Sequence, residues 1–359
     1  MSDKASPLDD SKLDMPSLRV LITRLSAIGD CVLTLPLACA IRDAIPGAQI
    51  IWAAEPAGCQ LLEGHSAIDH LVKVPKNFFK SPSALWKLRR TLHDLAPQLA
   101  IDPQGLTKSS LLGWLSGAQQ RIGAAAPWGR ELSTYFNNFR VRCEKRHIVD
   151  RTLELLLPLG VKKTEVRFDL PRYHAAEASM ANFLSRDELY RGYAVLNVGA
   201  GWQSKLWPAD RYASVARHLL DAWNLPSLVT WSGAEEKQAA EQVVQLAQGA
   251  AIMAPDTSLT ELATLLRPAT VLVGSDTGPM HLAAALGVRV VALHGSTRRE
   301  ESGPYGPANV AIQAYFQSGT SRERRSAQND AMRAIEASEV QHACDMILST
   351  LRARPAAVA

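Results

Sequence analysis

Three short stretches set ionisable residues beside glycine-containing turns. In RLSAIGDCVLTLP, a strand-like run ends at Ser26, Gly29 permits a tight turn, and Asp30 falls where a helix begins. A carboxylate there can take a proton from a hydroxyl as a general base. The plainer alternative is that it caps the helix and meets its macrodipole. In GSDTGPMHLAAALG, Asp276, Thr277, Gly278 and His281 bracket a second strand-to-helix junction. Pro279 suits the first helical position, and the N–H groups around it offer an anion site. Asp276 can then bind sugar hydroxyls, while His281 can donate to a phosphate or hydroxyl. The alternative is a helix capped by Asp276 or Thr277 with His281 packed inside.

The third stretch is NVGAGWQSKLWP. Gly199, Ala200 and Gly201 let the main chain approach a bulky anion, and Lys205 supplies a point charge for phosphate, unless it is an ordinary surface lysine. None of the three is a G-x-G-x-x-G fingerprint or a Walker A loop. No Asp-x-Asp lies among them, so no divalent metal is called for. Together they describe a diphosphate-activated donor held in one half of the chain and a base for its acceptor in the other.

These loops need a scaffold of parallel strands. LRVLITRL, QIIWAAE, HLVKV, QLAID and QRIGAA read as buried strands in the first half, and YAVLNVG, PSLVTWSG, AAIMA, ATVLVG and RVVALHG in the second. Amphipathic segments lie between them, which predicts an α/β protein with two doubly wound parallel sheets. Ligands would bind beyond the strand C-termini, in a cleft shared by the two domains. The boundaries read as a disordered tail over 1–17, a first domain over 18–170, a linker over 171–190, a second domain over 191–315, and a charged loop and C-terminal helix over 316–359. Within the last, FQSGTSRERRSAQND reads as a mobile loop without a role. Ile335, Val340, Cys344, Ile347, Leu348 and Leu351 then form a helical face that must dock.

Composition bounds the class. The 359 residues are 47% hydrophobic and 21% charged, as in a globular protein. No apolar run approaches the roughly 20 residues that span a bilayer. The polar, acidic N-terminus does not read as a secretory signal. Five cysteines without a C-x-x-C predict reduced thiols, a cytoplasmic protein and no structural zinc. Between Lys73 and Arg151, fourteen Lys and Arg face five Asp and Glu, a local excess of nine positive charges. Such a stretch can steer an anionic partner, or be a solvated face. By itself it does not separate nucleic acid, anionic lipid and acidic sugar.

In this order, RLSAIGDCVLTLPLACAIRDAIPGAQIIWAAEP, IDPQGLTKSSLLGWLSGAQQRIG, GAGWQSKLWP and SDTGPMHLAAALGVRVVALHGST resemble the lipopolysaccharide heptosyltransferases, glycosyltransferase family nine. The match runs from about Leu18 to Pro307, and DPQGLTKS looks more like the heptosyltransferase I branch than the II branch. The resemblance implies a GT-B fold of two Rossmann-like domains and metal-independent inverting transfer without a cofactor. ADP-L-glycero-D-manno-heptose would be the nucleotide-sugar co-substrate, and the Kdo-bearing lipid A core the acidic glycolipid acceptor.

It also implies roles. Asp30 falls on the family's base and Lys205 on its phosphate-binding lysine. Asp276, Thr277, Gly278 and His281 fall on the donor-binding turn. Gly199, Ala200 and Gly201 stand where some members carry hydroxyls, so phosphate contacts there would be main-chain. The ribose-contacting acid is either Glu235 or Glu236, and Thr257 lies near the adenine. Gln104, Lys108 and Arg121 are the acceptor candidates. The implied partners include the cytoplasmic face of the inner membrane, touched peripherally, and no nucleic acid; the oligomeric state stays open. Two alternatives stand beside this: a family member using another nucleotide sugar or glycan acceptor, and a non-catalytic nucleotide-sugar-binding protein.

Overall fold

Strands buried on both faces need apolar residues at every position, and the chain supplies them twice. In a computed structural model, which describes residues 17–353, the first set is β1 (Arg19–Thr23), β2 (Gln49–Ala54), β3 (His70–Lys73), β4 (Leu99–Asp102), β5 (Gln120–Ala124) and β6 (Phe139–Val141). They pair in parallel in the order β3-β2-β1-β4-β5-β6. The second set is β7 (Ala194–Asn197), β8 (Ser227–Thr230), β9 (Ala251–Met253), β10 (Val271–Ser275), β11 (Arg289–Leu293) and β12 (Val310–Ile312). Their order, β12-β11-β10-β7-β8-β9, repeats the first. The chain divides into two compact units between Pro171 and Arg172. The N-terminal tail expected over 1–17 lies outside the described residues except for Ser17.

Each sheet reverses its strand order beside its first strand, at β1/β4 and at β7/β10. The crevice beyond the strand ends at such a switch point is where doubly wound sheets bind ligands. The register brings Ile22 level with Ile101 and Gly274 level with Asn197. The loops after β1 and β4 therefore leave one edge together, as do those after β7 and β10. Asp30 and the Asp276 turn sit on these loops.

Several short elements are not evident in the periodicity: β6, β12, and the helices Pro56–Leu62, Ser133–Phe136 and His174–Leu184. The strands β6 and β12 have three residues each and are only partly buried, too brief to show alternation. The helical face around Val340 docks as expected. In the helix Ala337–Ala353, Val340, Cys344, Ile347 and Leu348 are buried against the helix Ala209–Trp223 and the second sheet. His218 Nε2 and Trp223 Nε1 both meet Asp345 Oδ1, at 2.7 and 2.6 Å.

The segment expected to be a mobile loop is ordered. It holds the helix Ser321–Ser326, begun by a reciprocal cap in which Thr320 N–H donates to Glu323 Oε2 at 2.7 Å and Glu323 N–H to Thr320 Oγ1 at 3.3 Å. The five cysteines are unpaired, and Cys31, Cys39, Cys59 and Cys344 are buried. Among the described residues, no helix is long and apolar enough to cross a membrane.

Candidate active site

In the first unit the chain leaving β1 turns back on itself. Arg24 is buried; it donates from Nη1 to the Pro103 carbonyl at 2.9 Å, and Nη2 pairs with Asp30 Oδ1 at 2.7 Å. Asp30, in the first turn of the helix Ile28–Ala44, accepts the Ala27 N–H on Oδ2 at 3.2 Å. The capping geometry is thus present. Yet the Asp30 side chain is 38% exposed, so one carboxylate both caps the helix and remains open to a reactant.

The loop after β4 braces this turn. Buried Gln104 accepts the Leu25 N–H on Oε1 at 2.8 Å. Asp102 collects the N–H groups of Gln104 and Gly105 on Oδ1 and the Asn137 amide on Oδ2. Burial raises the Asp102 pKa, and these hydrogen bonds work against the rise. Gly105 has φ +63, and a Cβ there would lie 2.6 Å from the Trp128 carbonyl oxygen, so the turn demands glycine. Lys108 donates from Nζ to Ser26 Oγ at 3.0 Å and to Glu55 Oε1 at 3.1 Å. Asp30 and Lys108 are therefore assembled around the β1/β4 switch point, with Arg24, Ser26 and Glu55 added to those expected.

Arg121 is not brought to this place. It is the second residue of β5, level with Ala100 and hence with Leu21. Its Nε donates to the Phe136 carbonyl and Nη1 to that of Ala118, both within 2.8 Å. The guanidinium expected to meet an acceptor instead ties loops together near the opposite end of the strands. Gln104 likewise spends its carbonyl oxygen on the β1 loop.

In the second unit, Asn197 ends β7 and gathers the surrounding loops. Its Nδ2 donates to the Gly199 carbonyl at 3.1 Å and lies 3.3 Å from Thr277 Oγ1, while Oδ1 accepts from Thr230. Gly201 faces open space, whereas a Cβ at Gly199 would strike the Glu236 carboxylate at 2.0 Å. Glu236 also accepts the Ser232 N–H at 2.8 Å, and burial raises its pKa. Glu235 is exposed. Of the two acids, Glu236 is thus the one set against the Gly199 loop, with Ala200 partly exposed beside it. Thr257 sits in the loop after β9, just ahead of the cap Ser258.

Lys205 reaches from this loop to the turn after β10. Its Nζ lies 2.6 Å from the Asp276 carbonyl oxygen, 3.0 Å from Asp276 Oδ2 and 4.7 Å from the Trp202 ring centroid. Ser302 Oγ donates to Oδ2 at 3.2 Å, and His281 Nε2 to Oδ1 at 3.0 Å. With both oxygens engaged and the side chain 6% exposed, Asp276 is the internal counter-ion of Lys205 and not the free sugar-binding carboxylate expected. Burial alone would raise its pKa; Lys205, with His281 and His294, outweighs that and holds Asp276 well below the usual carboxylate range.

Thr277 is the N-cap position of the helix Gly278–Ala285, and Pro279 stands in its first turn, so the N–H groups there stay open to an anion. Buried His281 leaves Nδ1 without a hydrogen-bond partner among the described residues, as does Nε2 of His294 at the end of β11. Burial pushes the His294 imidazole down to about 4, against the pull of Asp276. The structure shows the packed alternative for His281, which lies inside and orients the carboxylate that holds Lys205, while no side chain caps the helix.

The segment 316–330 closes on this place. Ser204 Oγ donates to the Arg324 carbonyl at 2.6 Å, Arg324 Nη1 to the Ser296 carbonyl at 2.6 Å, and Asn329 Nδ2 to the Leu206 carbonyl at 2.8 Å. Arg325 lies over the Trp202 ring at 5.1 Å. Among the described residues, no group of three or more His, Cys, Asp or Glu side chains is arranged to hold a metal ion.

The sequence and the fold are similar to those of known proteins. The model of glycosyltransferase family 9 (heptosyltransferase) matches residues 85–331. Lipopolysaccharide heptosyltransferase 1 of Pseudomonas aeruginosa is 28% identical over 83% of this chain and 84% of its own length. The protein of the same name from Escherichia coli K12 is 29% identical over 83% and 94%. A structure of the E. coli heptosyltransferase WaaC with ADP is 25% identical and superposes with a TM-score of 0.69 over 92% of this chain and 98% of that one. A family 9 glycosyl transferase from Veillonella parvula, 23% identical, shares the fold at a TM-score of 0.82 over 94% and 98%.

Proposed function

The chain belongs to glycosyltransferase family 9, a GT-B heptosyltransferase of lipopolysaccharide synthesis, and from that premise we propose its reaction. It moves heptose from ADP-L-glycero-D-manno-heptose to the Kdo region of the inner core, by a single inverting displacement without metal or cofactor. The observation that carries this is the Lys205–Asp276–His281 set at the β7/β10 switch point, beside a loop whose Gly201 faces open space. A lysine held at a glycine-containing loop in this way supports the reading of a diphosphate site.

Asp30 accepts the proton of a Kdo hydroxyl as that oxygen bonds to the anomeric carbon. The bond from that carbon to the diphosphate breaks, and ADP leaves with the electron pair. Lys205 and the N–H groups following Asp276 take up the leaving charge. Arg24 fixes the Asp30 carboxylate from behind. A general base of this kind contributes about 10²–10⁴-fold, so orientation and charge stabilisation supply much of the rate. Glu236 serves the ribose, Thr257 lies toward the adenine, and Lys108 meets the acidic acceptor.

Support for peripheral membrane contact comes from the first unit. Phe79, Trp86, Trp114, Leu132 and Tyr135 are exposed within the stretch that carries the excess of nine positive charges. Aromatic side chains beside cations suit the headgroup level of an anionic bilayer.

The test is incubation of the full chain with ADP-heptose and deacylated cores, with ADP release and product mass measured. Transfer in the presence of EDTA is expected. Transfer from another nucleotide sugar alone would overturn the donor, and loss of activity in EDTA would overturn the metal-free account.

A further inference from the structure

Two cations converge on the Trp202 indole from different parts of the chain. Lys205 Nζ is 4.7 Å from the ring centroid and Arg325 Cζ is 5.1 Å from it. Both distances fall within cation–π range, which limits the separation of the two charges to about 10 Å. Lys205 is balanced by Asp276. Among the described residues, Arg325 has no carboxylate within ion-pair distance, and its side chain is exposed. Of the two cations at this ring, Arg325 is therefore the one whose charge no neighbouring carboxylate takes up.

The placement of Arg325 is not accidental to a loose loop. The helix Ser321–Ser326 is anchored on the β7 loop through Ser204 and on the β11 loop through Ser296. Gln317 N–H also donates to the Gly295 carbonyl at 3.0 Å. Each anchor lies on a loop that follows a strand of the second sheet. Behind Arg325, Phe316 carries Arg298 at 4.0 Å and Arg324 at 5.7 Å from its ring. The segment thus adds positive charge beside Trp202, the residue that follows the exposed Gly201.

We propose that Arg325, presented by the segment 316–330 on the Trp202 ring, is a second cation for the diphosphate of a nucleoside-diphosphate donor, acting with Lys205. The inference rests on the donor reading above for the presence of a diphosphate, and goes beyond it in assigning the C-terminal segment to the donor site. Lys205 reaches the diphosphate from within the unit, and Arg325 closes over it from the surface.

The test is calorimetric titration of the full chain with ADP and, separately, with adenosine. Arg325→Gln is expected to weaken ADP about tenfold and leave adenosine within about twofold, while Arg325→Lys retains ADP within about threefold. In steady state, Arg325→Gln should raise the donor KM and leave the acceptor KM unchanged. ADP affinity unchanged in Arg325→Gln would overturn the proposal, and so would an equal loss for adenosine, which marks a structural effect. If the unaltered chain binds UDP or GDP in place of ADP with the same dependence on Arg325, only the adenine reading falls. Failure to bind any nucleoside diphosphate would sink the donor reading and this proposal together.

Discussion

Lys205 and Asp276 meet 3.0 Å apart across the β7/β10 switch point, in a pair whose side chains are 13% and 6% exposed. Burial works against the Asp276 charge, and Lys205 beside it is the main influence that keeps the carboxylate ionised. His281 and Ser302 complete the carboxylate's partners.

Removing one partner strands the other. Asp276→Asn is expected to cost about 3 kcal/mol of stability, read as a lowered urea midpoint at constant slope. Lys205→Ala is expected to weaken ADP at least about tenfold by titration calorimetry. An Asp276→Asn variant as stable as the parent would show that the pair carries no structural weight.

His294 gives a pH signature. Its folded-state value is about 4, below the ordinary histidine value, so the unfolded chain binds the proton first as pH falls. Stability is expected to decline between about pH 6.5 and 4, by up to about 3 kcal/mol from this residue. His65, also lowered by burial, adds in the same direction. The measurement is the urea midpoint across that range. A His294→Gln variant should show a flatter profile than the parent, and an identical slope would remove His294 as the source.

The exposed aromatics of the first unit are expected to act on membranes only. Trp114→Ala combined with Tyr135→Ala should lower co-sedimentation with phosphatidylglycerol vesicles at least about fivefold, without loss of turnover on a deacylated acceptor. Equal binding by the double variant would place the contact elsewhere.

Much of the site was legible because its main residues lie in loops that directly follow apolar strands. Asp30, Lys205, Asp276 and His281 each stand within about ten residues of such a strand end, and two doubly wound sheets follow from the strand–helix alternation alone. What the sequence does not display is pairing at a distance. Glu55 and Lys108 are far apart in the chain, as are Trp202 and Arg325, and no periodicity links them. Arg24, Asn197 and His294 did carry a signal: each is a polar residue at, or directly after, the end of a largely apolar strand. The segment 316–330 reads as a loop because its charges suggest solvent, while its anchors are serines and backbone carbonyls that composition cannot reveal. Arg121 reads as an acceptor contact because it is a cation in a basic stretch, although its place at the start of QRIGAA already sets it away from the strand's C-terminal end.

The assignment of Asp30 as the base is tested most directly by Asp30→Asn, measured for ADP-heptose affinity and for turnover on the same preparation. Affinity within about threefold of the parent, with turnover lower by about 10²–10⁴-fold, is the expected result. Turnover equal to that of the parent would contradict the mechanism.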